Sequence, residues 1–259
     1  MFYRVDYLLA VILVGGIIGW LLGRRASRIA SAVIARWYFV AVVVLLALTA
    51  VVFVHGVVLD AGPGWNRAGG IIGDVGKLFF GMLFGLTLRR SDRLELLREP
   101  AISSALCLAT GYTFVTAGYV KAFQMQGMTE FFTQSGYTAG FLKFIMTIEV
   151  LGGMAMLVPW AVPLGIAGLS VDMFGAFYTH IHNGDPLNDS TGAIGMLMRL
   201  GAIAIFWALR QDSAGSARAV RKSLFAVGVA AVICMVIAVG GSEIVRHHRS
   251  PTAPQAAHP

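Results

Sequence analysis

Eight apolar runs, each near the length that crosses a bilayer, succeed one another along the chain: 6–23, 37–59, 70–88, 102–120, 141–158, 160–179, 192–209 and 223–241. A span needs about 20 mostly apolar residues. Hydrocarbon offers the backbone no hydrogen-bond partner, so each span must close its own bonds as a helix. The pattern predicts an all-α, polytopic transmembrane helical bundle of about eight spans. Composition agrees. Of the 259 residues, 57% are hydrophobic and only 13% are charged, against about 25% charged in a soluble domain. A net charge of +7 would in a soluble chain suggest nucleic acid. Here the basic residues gather between apolar runs, which is the signature of membrane topology rather than of a phosphate-binding face.

Those charges predict an orientation. Arg24, Arg25, Arg28 and Arg36 lie between the first two runs, and Arg89, Arg90, Arg93 and Arg98 between the third and fourth. Arg210, Arg218, Arg221 and Lys222 lie between the seventh and eighth. With eight spans, all three loops face one side, and the opposite loops hold only Arg67, Lys121 and Lys143. The positive-inside rule then places 24–36, 89–100 and 210–222 in the cytoplasm. Both termini would lie outside, although Arg246, His247, His248 and Arg249 in the tail pull the other way. The organisation reads as a three-span region over 1–100, a four-helix bundle over 101–211, a last span over 212–241 and a disordered Pro- and Ala-rich tail over 242–259.

Local features refine this outline. The first run lacks the leading positive charge of a signal peptide, because only Arg4 precedes it, though Ala30-Ser31-Ala32 resembles a cleavage site. The third run carries Asp74 and Lys77, three apart on one helical face, where they can compensate each other. A re-entrant or interfacial third segment is the alternative. Within 121–140, Phe131 and Phe132 predict a short amphipathic helix on the outer interface. Cys107 and Cys234 sit inside apolar runs and read as small core residues.

The informative residues are charges inside spans. Glu149 stands in a run, 144–158, with no other charge, and the next two spans carry Asp172 and Arg199. Ionisable groups in hydrocarbon are costly, and they usually face a partner or a cavity and mark function. Gly152 and Gly153 follow Glu149 on its own face, where small residues let a neighbouring helix approach closely. Similar stripes recur: Gly111, Phe114, Gly118 and Lys121; Gly168, Asp172, Gly175, Ala176, Thr179 and His180; Gly192, Gly195, Arg199 and Ala202. Glu149, Asp172 and Arg199 each lie seven or eight residues from the outer end of their spans, roughly 10–12 Å deep at about 1.5 Å per residue. Lys121 and His180 form a rim above. On this reading Arg199 pairs with one acid, while the other acid is protonated or pairs with Lys121. The same charges could equally be structural, fixing helix register.

Other motifs carry little. His180 and His182 form a His-x-His at a helix end, but two ligands do not make a metal site. Asn183-Gly184 and Asp185-Pro186 make the loop before 191 a turn, with Asp189 or Ser190 capping the seventh span. No dinucleotide, P-loop, haem-attachment or zinc motif is present. Any redox cofactor is then a diffusible membrane one, such as a quinone, or belongs to a partner.

Three segments carry a resemblance to a known family. They are Gly111-Tyr-Thr-Phe-Val-Thr-Ala-Gly118-Tyr-Val-Lys121, Ile148-Glu149-Val-Leu-Gly152-Gly153, and Phe177-Tyr178-Thr179-His180 followed by Asn183-Gly184-Asp185-Pro186. Together they resemble the DoxX-like family of bacterial four-helix membrane proteins over about 106–209. The resemblance implies a DoxX-like four-helix core and singles out Lys121, Glu149 and His180; Arg199 lies outside the family pattern. It also implies a function. The family is named for a subunit of a thiosulfate:quinone oxidoreductase, and other members are linked to oxidative-stress complexes. The fold is also similar to sterol-binding four-helix proteins related to the sigma-2 receptor, which hold an acidic residue between helices.

Three readings follow. The first is a membrane subunit of a quinone-linked redox or oxidative-stress system, at most an oxidoreductase subunit because no self-contained catalytic motif is present. It would meet a redox partner subunit, and Glu149, Lys121, His180, Asp172 and Arg199 would bind or relay protons. The second is a binding or transport module for a small apolar or lipid-like molecule. The third is a structural membrane anchor.

Overall fold

The computed structural model of the chain describes residues 5–26, 28–59 and 62–211. The eighth apolar run, the tail, Cys234 and the basic residues from Arg218 onward lie outside the described residues. The described residues form helices with no strand among them.

In order, these are α1 (Val5–Ala26), α2 (Ser31–Phe53, continued by a π-helical turn, Val54–Val58), α3 (Pro63–Arg89), the short α4 (Arg93–Arg98), α5 (Pro100–Phe123), α6 (Met125–Gln134), α7 (Ala139–Ala155), α8 (Val162–Asn183) and α9 (Thr191–Gln211), the last preceded by a 3-10 turn, Leu187–Ser190. Pro63 and Pro100 open α3 and α5, where a missing N–H costs nothing. Gly184 ends α8 in the left-handed region at φ 74°.

Each of the first seven apolar runs falls on a helix. Six helices are long and apolar enough to cross a membrane, and α6 with α7 makes a seventh if that pair, bent by 116°, is one span. The fifth run is therefore shorter than expected. α7 has 17 residues and stops at Ala155, because the turn at 156–161 carries Pro159 and Pro163 follows it, and the residue before proline avoids the helical region. The third run is one continuous helix rather than a re-entrant segment, and Lys77 donates to Asp74 at 2.8 Å within it. Tyr7 of α1 donates to the other oxygen of Asp74 at 2.8 Å. The amphipathic segment is α6, with Phe131 exposed.

α1 and α3 run side by side in the same direction, at backbone-to-backbone distance. A Cβ added at Gly15, Gly19, Gly81 or Gly85 would fall inside the contact shell of the facing carbonyl oxygen of Leu78, Met82, Ile12 or Gly16. Two helices can come this close only through glycine. The core beneath joins α3, α4, α5 and α9 through Leu83, Leu96, Ile102, Phe114, Leu200 and Ile203. Cys107 is buried in it, as a small core residue should be.

The loops after α1 and after α3 meet at one end of the bundle. Arg90, 4% exposed, donates to the carbonyls of Ala26 and Ile29 and to both oxygens of Asp92. Ser31 donates to Asp92 as well, at 2.6 Å. These bonds, Arg90's foremost, hold the Asp92 carboxyl down at about 2, against the upward push of partial burial. Arg210, at the close of α9, lies within electrostatic reach of Cys107 near the start of α5. The basic segments 24–36 and 89–98 and the start of 210–222 thus share one end, called here the basic end. Val5 and Asn188 meet at the far end, through a 3.2 Å bond.

Candidate functional site

The site grows from the α5–α7 contact. Gly111 of α5 and Gly153 of α7 face each other so closely that a Cβ on either would lie 2.6 or 2.8 Å from the other's carbonyl oxygen. One helical stretch towards the far end, Gly118 gives room to Val150, Met146 and the Cβ of Glu149. About 100° round α7 from Gly153, Gly152 receives the side chain of Leu169 from α8. Glycines on both faces thus wedge Glu149 between α5 and α8, where it is 2% exposed.

Its carboxylate is held by Lys121, whose Nζ lies 2.6 Å from Oε1 and 2.7 Å from Oε2. Lys121 sits near the end of α5 and extends down along the helix to reach it. The Lys121 side chain keeps 22% of its surface exposed and Glu149 only 3%, so the pair has an open end and a sealed end. Asp172 of α8 is 6% exposed and lies within electrostatic reach of both Glu149 and Lys121. Its Oδ2 is buried with no hydrogen-bond partner among the described residues. Two carboxyls and one ammonium therefore lie within electrostatic reach of one another between α5, α7 and α8.

Arg199 is not with them. No acid pairs with it among the described residues; its Nη1 approaches Thr113 Oγ1 at 3.4 Å, and Tyr38 of α2 is within electrostatic reach. The expected pairing of Arg199 with an intramembrane acid is therefore wrong. α9 turns this face towards Tyr38 of α2 and towards Leu8, Ile12, Lys77 and Phe80 of α1 and α3. The stripes on the sixth and seventh spans are also not close packing. A Cβ at Gly168, Gly175 or Gly192 would meet nothing within 4 Å; the close approach on α8 is made by Gly165, against Met156 and the carbonyl of Gly152.

His180 lies at the far end, half-buried, with its Nδ1 2.8 Å from Asp185 Oδ2. Around it, Tyr137 bonds Thr179 at 2.9 Å and Asn183 bonds Ser135 at 2.9 Å. Phe131 of α6 packs against the His180 ring. These contacts fasten the α6–α7 turn onto the end of α8. The rim is thus divided: Lys121 turns inward to Glu149, and His180 is tied to its own loop. His182 packs against Tyr178, and no three His, Cys, Asp or Glu groups among the described residues are arranged to hold a metal. Nothing in the sequence singles out Thr113 and Tyr38 as neighbours of Arg199. Asp185 was signalled only by lying five residues beyond His180 in a tight turn.

Residues 105–209 match the model of the DoxX-like family. The match spans most of α5, all of α6, α7 and α8, and most of α9, and it leaves α1 to α4 outside. No curated protein and no solved structure matches the chain. With six or seven helices among the described residues apolar enough to cross a membrane, the chain is a multi-pass integral membrane protein whose residues 105–209 match the DoxX-like family.

Proposed function

We propose that the chain is a membrane subunit of a quinone-linked redox or oxidative-stress system, in which Lys121, Glu149 and Asp172 hold and pass a proton. The observation that supports this reading most directly is the makeup of the cluster. One ammonium bonds both oxygens of one carboxylate, beside a second buried carboxyl with an unpartnered oxygen. A net charge sealed in a bundle is costly. Two carboxyls and one ammonium balance when the carboxyls share one proton. Lys121, on a flexible stem and partly exposed, can release Glu149 towards the far end, and the shared proton then moves between Asp172 and Glu149. Asp172 Oδ2 is an orphaned polar atom; when it carries the shared proton it can donate to a quinone carbonyl, and a quinone held there would supply the electron chemistry these side chains lack.

The test uses membrane vesicles carrying the chain with its native partners. Quinone reduction by thiosulfate and other candidate donors, and the accompanying proton uptake, are compared for wild type, Glu149→Gln and Asp172→Asn. A loss of about 10²-fold in rate in both variants is expected from removal of a proton-transfer group. Full rates in both variants, or no quinone reduction by the wild type with any donor, overturn the proposal. Infrared spectroscopy adds a check without a donor: the C=O stretch of a protonated carboxyl should be present in wild type and change in each variant.

A further inference from the structure

A second polar feature stands apart from Lys121, Glu149 and Asp172. Between α1, α3 and α9 lies a cleft of about 110 Å³. Its walls are apolar: Leu8 and Ile12 from α1, Phe80 from α3 and Met196 from α9. Two cations reach it, Lys77 and Arg199. They are not equivalent. Lys77 is balanced by Asp74 at 2.8 Å, whereas Arg199 has no acidic partner among the described residues and a single hydrogen bond, at 3.4 Å to Thr113. A guanidinium offers five donors in a planar fork suited to carboxylate or phosphate. Among the described residues, the cleft therefore carries one positive charge in excess, with most of the Arg199 donors unused.

Its shape fits an amphiphile better than a free ion. The mouth lies at the far end beside Thr191 and Gly192, and an added Cβ at Gly192 would meet nothing within 4 Å. Arg199 is eight residues further along α9, about 12 Å deeper at about 1.5 Å per residue. The surfaces flanking the cleft are apolar too, with Leu9, Leu13, Ile17 and Ile71 exposed. A molecule with an anionic head and a hydrocarbon tail can place its charge on Arg199 and its tail against these faces.

We propose that this cleft binds the anionic head of a membrane amphiphile, a phosphate or carboxylate, with Arg199 as its counter-charge. The site joins the leading helices to the DoxX-like region, so the bound amphiphile also bridges the two.

The test measures ligand binding to the full chain in nonionic detergent, by thermal shift and native mass spectrometry. The probes are phosphatidylglycerol, oleate, phosphatidylcholine and inorganic phosphate. Saturable stabilisation by phosphatidylglycerol or by oleate is expected, and whichever acts identifies the head as phosphate or carboxylate. Arg199→Gln should weaken that binding by about tenfold or more, as loss of a charge-assisted contact does, and Arg199→Lys should restore part of it. Gly192→Leu fills the mouth and leaves the guanidinium in place, so it should abolish binding while the protein still folds. Equal stabilisation by phosphatidylcholine, binding of inorganic phosphate alone, or unchanged binding in both Arg199→Gln and Gly192→Leu overturns the proposal.

Discussion

The α1–α3 pair and the α5–α7 pair are built with one device and put to different ends. Both set glycines against a partner's backbone. In α1–α3 the close approach is continuous, and the carboxylates nearby are fully engaged. Asp74 takes bonds from Lys77 and Tyr7, and Asp92 takes bonds from Arg90 and Ser31. In α5–α7 the glycines clear space for charge instead, and a carboxyl oxygen is left without a partner on the next helix. Close approach through glycine thus recurs in both pairs, whereas a buried carboxyl oxygen without a hydrogen-bond partner occurs, among the described residues, on Asp172 of α8. A structural cluster would be expected to look like Asp74 or Asp92; the Asp172 cluster does not.

The largest expected effect tests the first half of that comparison. Gly85→Leu puts a side chain where the carbonyl of Gly16 already lies, so α1 must leave α3. Overpacking alone costs about 1–3 kcal/mol, and losing the helix contact adds to it, so the expected loss exceeds about 3 kcal/mol. Gly76→Leu is the control, since nothing lies within 4 Å of its added Cβ. Thermal melting of the two variants in detergent should separate them widely. Equal melting would mean that the glycine contact is not what joins α1 to α3.

Next in size is Arg90→Ala. It removes charged hydrogen bonds to Asp92 and to the carbonyls that close the α1–α2 loop, each worth about 1.5–3 kcal/mol at most. A loss of about 2–3 kcal/mol is expected, measured by the same melts. Acid gives a related, smaller effect. The folded Asp92 carboxyl titrates near 2 rather than near 3.8. Its contribution is therefore present above about pH 4 and is lost as pH falls towards 2. Melting temperature followed through that window should drop in wild type, and the drop should shrink in Arg90→Ala, where the bond that lowers the carboxyl is already gone.

How much of this is legible in the sequence depends on what each feature needs. Helix positions follow from run length and from capping prolines, and the pairing of Asp74 with Lys77 follows from their three-residue spacing. α6 follows from its two phenylalanines. How far Glu149, Asp172 and Arg199 lie along their own helices is also readable, because rise per residue is fixed. Their bearing around the helix axis relative to neighbours is not. That depends on which helix packs where, and it is why Arg199 is misplaced by depth alone. The same limit applies to Gly15, Gly19 and Gly23. Their four-residue spacing marks a close contact, but spacing names no partner, and α3 is two helices away in the chain. The pairing of Lys121 with Glu149 sits between these cases. Its ingredients are visible, but choosing it over Arg199 requires the α5–α7 contact.

The smallest expected effect is the most discriminating. Asp172→Asn keeps the shape of the side chain and removes its charge and its proton. Since Oδ2 has no hydrogen-bond partner among the described residues, no bond to it is lost, and stability should change by less than about 1 kcal/mol. Glu149→Gln, by contrast, weakens two short bonds from Lys121, and loss of a charge-assisted bond costs about 1.5–3 kcal/mol. Melting both variants side by side compares a partnered acid with an unpartnered one in the same cluster. Equal destabilisation would mean that Asp172 has a structural partner, and it would then resemble Asp74. A stable Asp172→Asn that has lost quinone-linked proton uptake would instead separate the residue's role from packing altogether, because the only thing removed would be a group able to carry the proton.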